Sequence, residues 1–152
     1  MLEIHEMPGH LVRRLHQTSV SLFMDGTAKR GYDLTPVQYA ALSAIDARPG
    51  LDQATLANHI AYDRVTIGGV VDRLVQKELV RREVSTIDRR ARELYLTDKG
   101  RETLEDIRPI VRQMQEVLLE GLDQDEKALF ISLLRKAAEA VNERSRAPLR
   151  IG

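Results

Sequence analysis

Residues 79–100, LVRREVSTIDRRARELYLTDKG, constrain the fold more tightly than any other stretch of the chain. Val80 and Val84 are spaced to share one face, with Arg81 and Glu83 opposite. Leu94 and Leu96 repeat the alternation against Glu93, Tyr95 and Thr97. A side-chain period of two marks half-buried strands, although Arg82 between the valines weakens the first. Ser85 to Arg92 between the strands is polar and carries Arg89, Arg90 and Arg92. The pattern predicts a hairpin with a cationic tip, a thin basic projection shaped to enter a nucleic-acid groove.

Helical periods fill the rest of the chain. A first helix is expected after Pro8-Gly9 and runs to about Lys29, with Leu11, Val12, Leu15, Leu22 and Phe23 on one side and Ser19 filling the step between. Gly26 is expected to loosen its last turns and Gly31 to break it. Thr35-Pro36-Val37-Gln38 reads as a capping box with proline at the first helical position, and Val37, Ala40, Ala41, Ala44 and Ile45 as the inner face that follows. Asp52 caps a short third helix with Leu56, Ala57 and Ile60 inward. A turn near Ala61-Tyr62 leads to a fourth from about Asp63 to Lys77, buried along Val70, Val71, Leu74 and Val75. After the hairpin, Thr97 caps a long helix with a seam of Leu104, Ile107, Val111, Met114 and Leu118, kinked at Pro109 and ended by Gly121. Asp123 with Glu126 opens a sixth helix, striped by Leu129, Phe130, Leu133, Leu134, Ala137, Ala138 and Val141.

Composition narrows the function classes. At 152 residues the chain is expected to make one domain, or one domain with helical extensions. Aromatics are only 4% and Trp is absent, so the core is aliphatic and suited to packed helices. Cys is absent, which removes disulfides, thiolate zinc sites and thiol switches and is compatible with the cytoplasm. No apolar run approaches the roughly 20 residues that span a bilayer, and MLEIHEMPGH has no basic region leading into an apolar one. Formal charge is zero, which argues against a nonspecific nucleic-acid coat. Its distribution is uneven. Residues 79–92 hold five Arg against Glu83 and Asp88, and residues 101–126 hold three Arg against eight acids. Asp88 is expected to pair with Arg90 or Arg92 and order the loop.

Two helices joined by a tight turn and followed by a basic hairpin present the second helix to a major groove. Its solvent face is expected to carry Arg64, Thr66, Gly68, Gly69 and Arg73. Arginine pairs bidentately with guanine, and threonine bonds a base or touches a thymine methyl. Each glycine costs about 1 kcal/mol in a helix. The pair therefore points to close approach of the backbone to DNA, with close helix–helix packing as the alternative. In the hairpin, Thr86, Arg89 and Arg90 are the candidates for the minor groove and its phosphates, against the plainer reading of a solvated charge cluster.

The runs LTPVQYAALSAI, LANHIAYDRVTIGGVVDRLVQKELVRR and DRRARELYLTDKG resemble the MarR (multiple-antibiotic-resistance regulator) family of bacterial transcription factors over about residues 10–145. DRR followed by LT-x-x-G is the most specific part. The family usually has Gly where this chain has Glu78. The resemblance implies a mainly α (α+β) fold, a winged helix-turn-helix over residues 35–100. It also implies a helical dimerisation region from residues 1–34 and 101–152, and a triangular homodimer straddling a pseudo-palindrome. The sixth-helix stripe points the same way, since Leu129, Phe130, Leu133, Leu134, Ala137 and Val141 form too long an apolar face for a helix covered only by one small lobe.

The first helix, PGHLVRRLHQTSVSLF, resembles a subgroup controlling breakdown of aromatic acids, with the free acid or its coenzyme A thioester as signal. His10, Arg13, Arg14 and Gln17 are then the ligand-binding candidates, because an arginine at a pocket lip binds a carboxylate or phosphate by a charge-assisted pair. The other reading places them in solvent or against a dimer partner. His5, His10, His16 and His59 include no pair spaced for metal, and no cofactor is expected. The chain therefore reads as a ligand-responsive, DNA-binding repressor. The alternatives are a winged-helix adaptor for protein contacts and, remotely, a small enzyme. The enzyme reading lacks a nucleophile elbow, a phosphate loop and paired metal ligands.

Overall fold

In the computed structural model, which describes residues 1–152, six helices and a two-stranded sheet follow in sequence. They are α1 (Pro8–Lys29), α2 (Pro36–Ala47), α3 (Gln53–His59), α4 (Ile67–Gln76), β1 (Val80–Val84), β2 (Arg92–Leu96), α5 (Asp98–Leu118) and α6 (Gln124–Ala140). Short 3-10 turns occupy Glu3–Glu6 and Asn142–Arg144. The fold is mainly α with a small β wing, as the sequence pattern predicts.

Local chemistry explains most boundaries. The Thr35 hydroxyl accepts from Gln38 N at 3.2 Å, and Gln38 Oε1 accepts from Thr35 N at 3.3 Å, so both halves of the α2 capping box form. Asp52 Oδ1 accepts from Thr55 N at 2.7 Å, and Thr97 Oγ1 from Gly100 N at 2.9 Å. Asp123 and Glu126 close the α6 box at 2.8 and 2.9 Å. The LT-x-x-G motif has a packing reason as well: a Cβ on Gly100 would run into the Leu79 carbonyl, so glycine lets the first turn of α5 sit directly on the chain entering β1.

The core is one cluster of 19 buried apolar residues, and its origin is uneven. Leu42, Ile45, Leu56, Ile67, Val71, Leu74, Leu94, Leu104 and Ile107 are fully enclosed by α2 to α5 and the wing. From α1 only Phe23 joins them, and α6 supplies none. The α1 terminus is tied to α5 by the Tyr32 hydroxyl, which donates to Asp106 and is held above the ordinary phenol range, first by that bond and then by burial. Arg108 pairs with Asp46 at 2.5 Å and fixes α5 to α2.

Four details differ from the sequence reading. The α4 helix begins at Ile67 rather than Asp63, because Asp63 Oδ1 accepts Val65 N at 2.8 Å and shapes a turn first. The buried face of α2 is Gln38, Ala41, Leu42 and Ile45, leaving Val37, Ala40 and Ala44 half-buried; Gln38 is satisfied inside by its capping bonds and by Lys77 Nζ at 3.1 Å. Gly26 does not loosen α1, which runs unbroken to Lys29. A Cβ there would meet the Met114 side chain, so Gly26 marks where α1 and α5 close on each other. Val84 is 53% exposed at the far end of β1, beyond the core that takes Val80.

The wing register pairs Val80 with Leu96 and Val84 with Arg92. Gly50 and Leu51 add a third edge, through Gly50 N to Leu94 O at 2.8 Å and Leu94 N to Leu51 O at 3.0 Å. Arg82 turns towards α4 and pairs with Asp72, so it joins the wing to that helix. Glu78, where glycine is usual in the family the chain resembles, adopts φ +61°. That left-handed conformation costs a non-glycine residue about 1–2 kcal/mol, which gives a physical reason for the usual glycine.

Candidate nucleic-acid interface and effector groove

Local turns decide what α3 and α4 present. Ala61 at φ +52° turns the chain sharply after α3. Arg64 lies in this turn, not on α4, and its guanidinium donates to Asn58 Oδ1 at 3.2 and 3.4 Å. Thr66 is the N-cap residue of α4 and makes no side-chain capping bond; its hydroxyl donates to the Asp63 carbonyl at 3.3 Å. Thr66, Gly69 and Arg73 are spaced by three and four residues, so they share one exposed face along α4. Gly68 is rotated away towards α3 and is half-buried.

The glycine pair is not explained by helix packing. A Cβ on Gly69 would meet nothing within 4 Å, and one on Gly68 would touch only Gln53 Nε2 at 3.8 Å. Alanine would fit at both, and of the two only Gly69 lies on the exposed face, where its backbone is open to solvent. Val65, 90% exposed beside Arg64, escaped the sequence reading because an isolated valine carries no periodic signal. Its methyls suit contact with a thymine methyl.

The wing tip is ordered by its own backbone. Ser85 Oγ accepts from the amides of Ile87 and Asp88, both at 3.2 Å, and Asp88 Oδ1 accepts from Arg90 N at 3.0 Å. Asp88 therefore orders the loop through an amide, and the ion pair expected with Arg90 or Arg92 does not form. Arg92 Nη1 turns back to the Arg89 carbonyl at 3.0 Å. The side chains of Thr86, Arg89 and Arg90 are left exposed, and both of these guanidinium groups are uncommitted. Arg90 also lines a cleft of about 280 Å³ with Asp52, Gln53 and Ala54 at the start of α3. The stem is stiffened where Arg81 lies 4.5 Å over the Tyr95 ring. The Tyr95 hydroxyl donates to Glu93 Oε2 at 2.9 Å, and this bond above all holds it above the usual phenol range.

The four ligand-binding candidates on α1 separate into two pairs. Arg14 and Gln17 line an open groove of about 560 Å³ with Leu11, Leu15, Thr18 and Ser21. His10 and Arg13 instead meet each other at 3.3 Å and lie outside that lining. Leu11 and Leu15 also belong to an apolar groove of about 300 Å³ that includes Phe130 and Leu134 of α6. A smaller apolar cavity, about 170 Å³, lies between α1, the start of α2 and α5 around Phe23, Tyr39 and Met114.

A tripartite helical lobe, an exposed reading helix and an arginine-tipped hairpin define a winged helix-turn-helix DNA-binding protein. The chain belongs to the MarR family, whose model matches residues 32–91. It is 31% identical over 138 residues to the HTH-type transcriptional repressor NicR of Pseudomonas putida, covering 91% of this chain and 86% of that one. Its structure is similar to that of the PcaV transcriptional regulator from Streptomyces coelicolor in complex with its natural ligand. That match has a TM-score of 0.84, 35% identity and coverage of 93% of this chain and 98% of PcaV. BpsR of Bordetella bronchiseptica, whose DNA binding is regulated by 6-hydroxynicotinic acid, matches with a TM-score of 0.83 and 28% identity over 91% of this chain and 97% of that one. This chain is a transcriptional regulator of the MarR type, not an enzyme. No helix in it is long and apolar enough to cross a membrane.

Proposed function

We propose that the protein is a homodimeric repressor whose hold on a pseudo-palindromic operator is released by an aromatic carboxylate or its coenzyme A thioester. The observation that carries this reading is the juxtaposition on α1: the Arg14–Gln17 groove shares Leu11 and Leu15 with the apolar groove made by α1 and α6. A carboxylate on Arg14 would gain a charge-assisted pair while its ring lay against an apolar surface. Leu129, Phe130, Leu133, Leu134, Ala137 and Val141 would be covered by the second subunit, so a ligand wedged at this seam bears on how the two subunits sit. In each lobe Arg64, Thr66 and Arg73 read the major groove beside Gly68 and Gly69, and Thr86, Arg89 and Arg90 reach the flanking minor groove. NicR supports the repressor reading, and BpsR supports control by an aromatic acid.

A ligand preferring a spacing of lobes that no longer fits successive grooves needs a coupling of about 1–3 kcal/mol, or roughly 5- to 150-fold in affinity. The test is a titration of the protein on DNA from its own promoter, with and without a panel of hydroxybenzoic, hydroxynicotinic and cinnamic acids and their thioesters. The reading predicts that at least one weakens binding by this factor and loses its effect in Arg14→Ala. Operator affinity indifferent to the whole panel would refute ligand control by this class.

A further inference from the structure

The chain beyond α6 does not stay with the outer helices. Arg150 N donates to the Asn58 carbonyl at 2.9 Å, and Arg48 Nη1 donates to the Gly152 oxygen at 2.9 Å, so residues 145–152 lie across the turn that joins α3 to α4. The bend that brings them there is fixed by Asn142, whose amide brackets Leu149: Oδ1 accepts Leu149 N at 2.9 Å, and Nδ2 donates to Leu149 O at 3.0 Å. Asn58 thus holds two partners, Arg150 through its carbonyl and Arg64 through its side chain. Around it Arg64, Arg146 and Arg150 line a cavity of about 460 Å³ with Tyr62 and Pro148.

The electrostatics of this cluster are directional. Asp63, the acid nearest the start of the reading helix, faces Arg146 Nη2 at 3.4 Å. The Arg146 side chain is 91% exposed and has most of its donors free. Arg150 pairs with Glu143 at 3.0 Å and is itself half-exposed. The segment therefore offsets a carboxylate that would repel DNA and adds guanidinium groups beside Arg64, at the end of α4 that approaches base edges in a helix-turn-helix.

From this geometry we infer that the segment 145–152 is a third DNA-contacting element, with Arg146 and Arg150 binding backbone phosphates beside the major-groove contact of Arg64. This inference rests on the DNA-binding reading above. The shared chemistry is recognition of a phosphate oxyanion, and DNA supplies it continuously along this face. Phosphate contacts position a protein without reading sequence, so the contribution is to affinity and salt dependence, not to operator choice.

The experiment compares the full chain with Arg146→Ala/Arg150→Ala on operator and on scrambled DNA across a salt series. The expected result is a loss of about tenfold on both DNAs, with a salt slope shallower by up to about 2 per protomer. The melting temperature should be unchanged, and Arg146→Lys/Arg150→Lys should keep the slope, which a merely structural role for these residues would not restore. If the alanine pair binds with the affinity and slope of the parent while the parent still selects its operator, the inference is overturned and the DNA-binding reading stands. If the parent itself shows no operator preference, both are overturned. Inorganic phosphate at fixed ionic strength gives a separate arm. Stabilisation of the parent but not of the alanine pair, with operator binding intact in both, would assign the cluster to a free anion and overturn the inference.

Discussion

Helices α4 and α6 carry similar apolar stripes and end in opposite situations. In ten residues α4 buries Ile67, Val70, Val71 and Leu74. In seventeen, α6 buries none, and Leu129, Leu133 and Leu134 remain 59%, 55% and 43% exposed. An amphipathic period says that a helix has an inner face, not whose surface will cover it. The reading lobe closes its core from its own chain. The outer helices leave Leu129, Leu133 and Leu134 open, the face that the proposed function has a second subunit cover.

The largest effect that would sharpen this contrast is in the lobe. Leu74→Ala should cost about 2–5 kcal/mol in thermal or urea unfolding, because the side chain is fully enclosed. Leu129→Asp/Leu133→Asp should instead leave far-UV dichroism largely intact and convert two-subunit particles to one in sedimentation. A protein still two-subunit after this change would break the comparison. At the wing, Arg89→Ala/Arg90→Ala should weaken operator binding by one to two orders of magnitude and flatten its salt dependence. An unaltered titration would favour the adaptor reading.

Gly69→Ala tests what the open backbone is for. With free space around the Cβ it should stabilise the fold by about 0.5–1 kcal/mol while reducing operator affinity. A gain in both would show that DNA does not come close there. Glu78→Gly, which relieves a left-handed residue, should raise stability by about 1 kcal/mol and is the one change here expected to leave binding untouched.

The sequence pattern was legible where chemistry is local. Thr35, Asp52, Thr97 and Asp123 all cap as their spacing implies, and Leu94 and Leu96 face the core as their alternation implies. It misled where a tertiary partner decides. Leu42 shares the buried face of α2 with Gln38, a polar residue whose burial depends on partners distant in sequence, and Arg82 is held because Asp72 stands opposite. The α4 start was hidden because an Asp63 turn and a helical first turn look alike in sequence. Among the candidate contacts, exposure of Arg73 follows from its place on the outer face of α4, and that of Arg89 and Arg90 from their place at the tip of the hairpin. The placement of Arg146 and Arg150 beside Arg64 does not, since a chain segment with no period gives no hint of where it folds back.

The most direct test of the central claim, that two lobes held by the α6 stripe read one duplex together, is hydroxyl-radical footprinting on the protein's own promoter DNA. The account predicts two related protected half-sites centred about one helical turn apart, roughly 34 Å, occupied together at one dimer per duplex. A single protected half-site filled by one subunit would contradict it.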